Sequence, residues 1–314
     1  MAFIFSNLVG AFVFDENFHV KEQIIFRNLS DYQNKSNTLN MLQSKYPDAK
    51  HPEGKQLSEI LAYFKKKEFF HEFYRKNIDI TRIGIRNSVA EDLLIIQAVG
   101  CIEDLDKAIN LLAKRLREWY GLHNPEFSRS IENNEKFAQI ILKKKKEELL
   151  KELNIKKEES IGADLKQDDL DAIMELASEI VRLCILRKKQ EDYIGSAMKN
   201  FCPNLMAVAG VLTGAKLIEQ AGGLKKLSIM TSSTIQILGA EKALFRHMKT
   251  GAKPPKYGLI YSHTIIQKQK HENQGKAARA LADKISIAVK VDYFKGEFIG
   301  EKLRKELEDK FVQQ

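Results

Sequence analysis

The stretch 232–256, SSTIQILGAEKALFRHMKTGAKPPK, decides how this chain reads. A capped apolar strip runs to a glycine break at 239, a short cationic helix follows, and a double-proline loop carries more lysine. Between Gly239 and Arg279 stand nine basic residues: Lys242, Arg246, Lys249, Lys253, Lys256, Lys268, Lys270, Lys276 and Arg279. Only two acids, Glu241 and Glu272, oppose them, which makes +7 in 41 residues when all 314 residues carry +9. Charge so localised attracts a polyanion to one place.

Within Ala240–Lys249, Leu244 and Met248 are four apart and are expected to face inward with Ala240. Lys242, Arg246 and Lys249 fall at i, i+4 and i+7 and form a basic stripe on another face. Glu241 lies in the first turn, where the helix dipole favours a carboxylate. Lys253 and Lys256 bracket Pro254-Pro255, which hold the loop extended and lower the ordering entropy lost on binding. A second helix, 274–291, is expected to bury Ala278, Leu281, Ala282, Ile285 and Val289 while turning Lys276 and Arg279 outward. Tyr257, Tyr261, His263 and His271 interleave with the charge and could stack on unpaired bases, while Tyr257 and Tyr261 read equally as core residues.

Outward from this module the chain has the length of two or three domains and an ordinary globular balance, 44% hydrophobic and 30% charged. No apolar run approaches the roughly 18 residues of a membrane span. The opening MAFIFSNLVGAFVF lacks a basic leader and reads as strands. Cys101, Cys184 and Cys202 are scattered without CxxC spacing, which points to a reduced intracellular protein and no zinc site. No glycine-rich nucleotide fingerprint and no Cys/His/Asp cluster occurs, so no catalytic residue, metal or cofactor is assigned to the chain. With a pI near 9.2, nucleic acid leads as partner and a membrane is not expected.

The fold class expected is an α+β N-terminal domain followed by mostly α structure, in three parts. Residues 1–120 form an α/β platform, with strands at 3–5, 8–14 and 20–26, a turn at Asp15-Glu16-Asn17, and a long helix over 90–120. Residues 121–200 form an antiparallel helical hairpin, a coiled coil with arms at 128–153 and from Asp168 or Asp169 onward. In the second arm Leu170, Ile173, Ala177, Ile180 and Cys184 step 3, 4, 3, 4, which is a heptad seam. A lone hairpin has little core, so Ile173, Ala177, Ile180 and Cys184 are assigned to homodimerisation. The Lys143–Lys146 run reads as a solvated face. Residues 201–314 are all helix, with Pro203 opening one helix and Gly222-Gly223 closing the stretch 205–220.

At CPNLMAVAGVLTGAKLI (202–218), AGGLKKLSIMTSSTIQILGAEKALFRHMKTGAKPPKYGLIYSH (221–263) and QGKAARALADKISIAVKVDYF (274–294) the sequence resembles the Nop-domain family. LLIIQAVGCIEDLDKAINLLAKRLREWYGLHNPEF (93–127) resembles the family's passage from platform to coiled coil. The resemblance implies a non-catalytic core scaffold of box C/D guide ribonucleoproteins, which direct RNA 2′-O-methylation. Its N-terminal domain would hold fibrillarin, the methyltransferase, which binds the adenosylmethionine that this chain does not. Its coiled coil would dimerise, and its Nop domain would clamp box C/D guide RNA at a kink-turn together with a small ribosomal-protein-like kink-turn-binding subunit.

Carried over by motif, the RNA- and protein-facing residues would be Gly239, Ala240, Glu241, Lys242 and Arg246, followed by Lys249, Lys253 and Lys256. His263, Lys276 and Arg279 join them from the reading of charge and aromatics. Cys202, Thr264 and Gln274 depart from the family pattern. The short end at Gln314 suggests an archaeal, cytoplasmic protein; a eukaryotic one would be nucleolar. Three alternatives stay open: a spliceosomal Nop-domain assembly factor, a stand-alone RNA-modifying enzyme, and a cationic structural protein that binds any polyanion.

Overall fold

A computed structural model describes residues 2–311. Met1 and residues 312–314, the outermost positions of the expected first and last domains, lie outside the described residues. The chain divides into two compact units, Met1–Ala90 and Glu91–Gln314.

In the first unit β1 (Phe3–Ser6), β2 (Gly10–Phe14) and β3 (Val20–Ile25) form an antiparallel sheet in that order, with Phe3 opposite Phe14 and Phe12 opposite Gln23. The expected turn exists because Asp15 Oδ1 accepts the N–H groups of Asn17 (2.9 Å) and His19 (2.8 Å). Helices α1 (Leu29–Gln33), α2 (Lys35–Lys45), α3 (Gly54–Tyr63) and α4 (Lys67–Asn87) complete the unit. Alternation along β2 feeds two cores. Phe12 and Phe14 pack with Ile60 and Phe64, whereas Ala11 and Val13 pack with Phe26 and Leu42. Lys76 of α4 is buried and donates from Nζ to the carbonyls of Phe26 (2.6 Å) and Val9 (3.3 Å), closing the end of the sheet.

The second unit is helical: α5 (Glu91–His123), α6 (Pro125–Ser128), α7 (Asn134–Lys143), α8 (Lys146–Glu152) and α9 (Gln167–Phe201), then the helices described below. α5 and α9 run antiparallel, since Arg187 bonds Asp106 midway and His123 Nδ1 lies 3.0 Å from the Ala163 carbonyl near the turn. Three expectations change here. The limit at 120 falls inside α5, and the compact unit begins at Glu91, because α5 is one uninterrupted amphipathic rod. The long partner of α9 is therefore α5; the stretch 128–153 is short helices interrupted by the extended residues Lys144 and Lys145. Lys166 occupies the cap position of α9, with Asp168 and Asp169 in its first turn.

The dimerisation assignment also changes. Ile173, Ala177 and Ile180 are fully buried against Ile109, Ala113, Leu116 and Tyr120 of α5 and Phe137 of α7, with Cys184 half-buried beside them. The heptad seam is thus filled within one chain, because α5 and α7 already supply the apolar partner.

α10 (Pro203–Ala209), α11 (Val211–Ala221), α12 (Leu224–Ile229), α13 (Ser232–Ile237), α14 (Glu241–Thr250), α15 (Thr264–Gln267), α16 (His271–Tyr293) and α17 (Gly300–Phe311) surround a second core. Pro203 opens α10 as expected, but Gly210 at φ +78° splits the stretch 205–220 into two helices. Ala277, Ala278, Leu281, Ala282, Ile285 and Val289 of α16 form the spine of this core. No helix among the described residues is long and apolar enough to cross a membrane.

Candidate nucleic-acid interface

Thr231 Oγ1 accepts the Thr234 N–H at 3.3 Å and starts α13, which ends before a turn at Gly239 (φ +86°). Glu241 then reaches back, its Oε1 accepting the Gly239 N–H at 2.8 Å. The carboxylate thereby fixes the turn that launches α14. At the other end of α14 the Thr250 hydroxyl donates to the Arg246 carbonyl at 2.8 Å, and His247 Nδ1 contacts the Ala252 carbonyl.

The double-proline loop is tied at its far end as well. Gln236 Nε2 donates to the Lys256 carbonyl at 2.7 Å, and the Gly258 N–H donates to the Gln236 carbonyl at 2.8 Å. A Cβ at Gly258 would lie 2.0 Å from the Leu238 carbonyl oxygen, so only glycine permits this approach. Loop 251–257 is held by its anchors, not by a core of its own.

On this frame Lys242, Arg246, Lys249, Lys253, Lys256, Lys276 and Arg279 are all exposed. Among the described residues none of the seven makes an ion pair. The contrast lies elsewhere in the chain, where Lys45 pairs with Glu22 at 2.8 Å and Arg115 with Glu118 at 2.8 Å. Unpaired cations on one module leave its positive potential uncancelled and available to phosphates. Lys256, Lys276 and Arg279 come together around an open groove of about 820 Å³, bounded also by Gln236, Asn273 and Gln269. Lys310 lines the same groove from the last helix, which sequence reading missed because nothing local to 310 signals it.

Two expected placements differ, and the alternative core reading of Tyr257 is the one the structure favours. Met248 is 71% exposed and Phe245 61% exposed, so α14 buries no residue and stands off the core with Leu244 only half-buried. The inward stripe fails because ten residues ending at Gly251 project beyond the surface that α13 and α16 build. His263 does not join the groove: its Nδ1 accepts the Ile265 N–H at 3.2 Å and caps α15, and burial holds its imidazole below the ordinary value. Tyr257 is half-buried, stacked on Tyr261 at 4.6 Å, with its hydroxyl donating to Gln274 Oε1 at 3.0 Å. Tyr261 keeps an exposed face; His271, also exposed, begins α16. Among the described residues no group of three or more His, Cys, Asp and Glu could hold a metal ion.

Residues 101–313 match the profile of a family described as Nop, snoRNA binding domain, fibrillarin. The chain belongs to the Nop family. An uncharacterized NOP5 family protein of Methanocaldococcus jannaschii is 40% identical over 268 residues, covering 80% of this chain and 64% of that protein. Nucleolar protein 58 of Aspergillus clavatus is 41% identical over 215 residues, 64% of this chain and 36% of the relative. That of Schizosaccharomyces pombe is 40% identical over 215 residues, 64% and 42%. The match therefore spans less than two thirds of each of these relatives. The crystal structure of a fibrillarin/Nop5p complex contains a chain that aligns over 99% of both, with TM-score 0.46 and 22% identity.

Proposed function

We propose that this Nop-family chain is a non-catalytic scaffold of a box C/D guide ribonucleoprotein that directs RNA 2′-O-methylation. The observation that carries the reading is the set of seven exposed cations, free of ion pairs among the described residues, inside the region that matches the snoRNA-binding family. α14 and the double-proline loop bind kink-turn RNA and the small protein bound to it. Phosphate contacts there set position, while guide pairing supplies the target sequence.

The unit 1–90 binds fibrillarin, which carries the adenosylmethionine and the methyl transfer. Two chains pair through the α5–α9 hairpin by its outer face, where Leu111 and Leu122 are exposed, and not by the filled seam. The gain is proximity: holding enzyme and target nucleotide on one frame replaces a bimolecular encounter and can remove several kcal/mol of barrier, up to roughly 7–11 in the best cases. An archaeal chain would work in the cytoplasm, a eukaryotic one in the nucleolus.

The test is retention by fragments cut at the unit boundary. Immobilised 1–90 should hold fibrillarin, and 91–314 should hold kink-turn RNA with its bound protein. Methylation of a guide-matched RNA should need fibrillarin. Methyl transfer by the purified chain alone, or loss of the kink-turn complex from 91–314, would refute the reading.

A further inference from the structure

We propose that Lys310, at the end of α17, is a phosphate-contacting residue of the basic groove, so that the last helix forms one wall of the RNA site. The proposal rests on the reading that this module grips RNA backbone, and adds to it an element that no motif of the module contains.

The groove brings four cations together from three separate segments: Lys256 from the proline loop, Lys276 and Arg279 from α16, and Lys310 from α17. It also contains Glu272 and Asp283. Four cations less two acids leave a net charge of +2, and without Lys310 only +1, so this one residue supplies half of the excess that attracts a polyanion. Among the described residues Lys310 makes no ion pair with either acid; its ammonium lies 5.6 Å from the centroid of its neighbour's ring, Phe311.

The end of α17 is held where the groove needs it. Gln269 Nε2 donates to the Phe311 carbonyl at 2.8 Å, and the Phe311 ring packs on the core whose spine is α16. The wall is therefore pre-positioned, which reduces the ordering cost of a phosphate contact made by a long side chain. A backbone threaded through the groove would meet Lys276 and Arg279 from α16 and Lys310 from α17, with Asn273 and Gln236 as amide donors.

The experiment titrates the 314-residue chain with kink-turn RNA carrying its bound kink-turn protein, across a series of salt concentrations. Lys310→Ala and Lys310→Gln should weaken binding and flatten the plot of log affinity against log salt by about 0.9, while Lys310→Arg keeps the wild-type slope. Lys305→Ala removes the same charge from the same helix outside the groove and should leave the slope unchanged. Thermal melts matching wild type for every variant exclude a folding defect. A wild-type slope for both Lys310→Ala and Lys310→Gln, or equal flattening by Lys305→Ala, overturns the inference and leaves the scaffold reading intact. Absence of salt-dependent binding by the wild type removes both.

Discussion

The carboxylate of Asp292 accepts the side-chain amide of Asn204 at 2.8 Å across 88 residues of chain. Its oxygens also take the backbone N–H groups of Asn204 (3.1 Å) and Leu205 (2.8 Å), satisfying the first turn of α10 from the last turn of α16. Asn204 in turn accepts the Ile299 N–H at 2.7 Å, just before α17. One buried pair thus ties α10 to α16 and to the residue that precedes α17, the two later helices being ones that line the basic groove.

Asp292→Ala should lower stability by about 3 kcal/mol, because it leaves several buried donors without an acceptor. Chemical denaturation measures the loss. Hydrogen exchange should show protection falling first at the start of α10. Unchanged protection there would mean the tie is dispensable.

His263 predicts a pH dependence. Burial depresses its pKa below 6.5, so the folded state takes up the proton less readily than the unfolded chain. Its contribution to stability is therefore complete above 6.5 and is lost as the pH falls from there through the lower folded value. His263→Asn keeps a side chain able to cap α15 and should remove this part of the acid sensitivity. The check is the unfolding midpoint of both proteins followed from neutral pH downward; parallel curves would count against it.

The exposed cations of α14 predict a salt effect. Arg246→Glu and Lys249→Glu should each flatten the salt dependence of assembly on kink-turn RNA, by at least the 0.9 or so expected for one lost phosphate contact. Melting should be unaffected, since among the described residues neither side chain makes an ion pair. Filter binding or fluorescence anisotropy over a salt series decides the matter.

What was legible in the sequence follows from the range of each interaction. Asp15-Glu16-Asn17, Pro203 and the spacing of Ala278, Leu281, Ala282 and Ile285 act through neighbours a few residues away, so turn, helix start and core face could be read directly. Lys76 was not readable, because its meaning depends on carbonyls 50 and 67 residues away. Lys310 was hidden for the same reason: its groove exists only once α16 and α17 have packed. Met248 misled because four-residue spacing signals an apolar face but not whether anything covers it.

Ile180 carries the sharpest test of the corrected hairpin. If its seam is internal, Ile180→Ala opens a cavity among Ile109, Ala113 and Phe137 and should cost about 2–5 kcal/mol, whatever the protein concentration. The association state of the folded variant should match wild type by sedimentation. Leu111→Glu places a charge on the outer face, where Leu111 is 70% exposed, so it should spare stability and shift the population toward single chains. The two variants exchange these effects if the seam lies between chains: Ile180→Ala would dissociate dimers at little cost to each protomer, and Leu111→Glu would be silent.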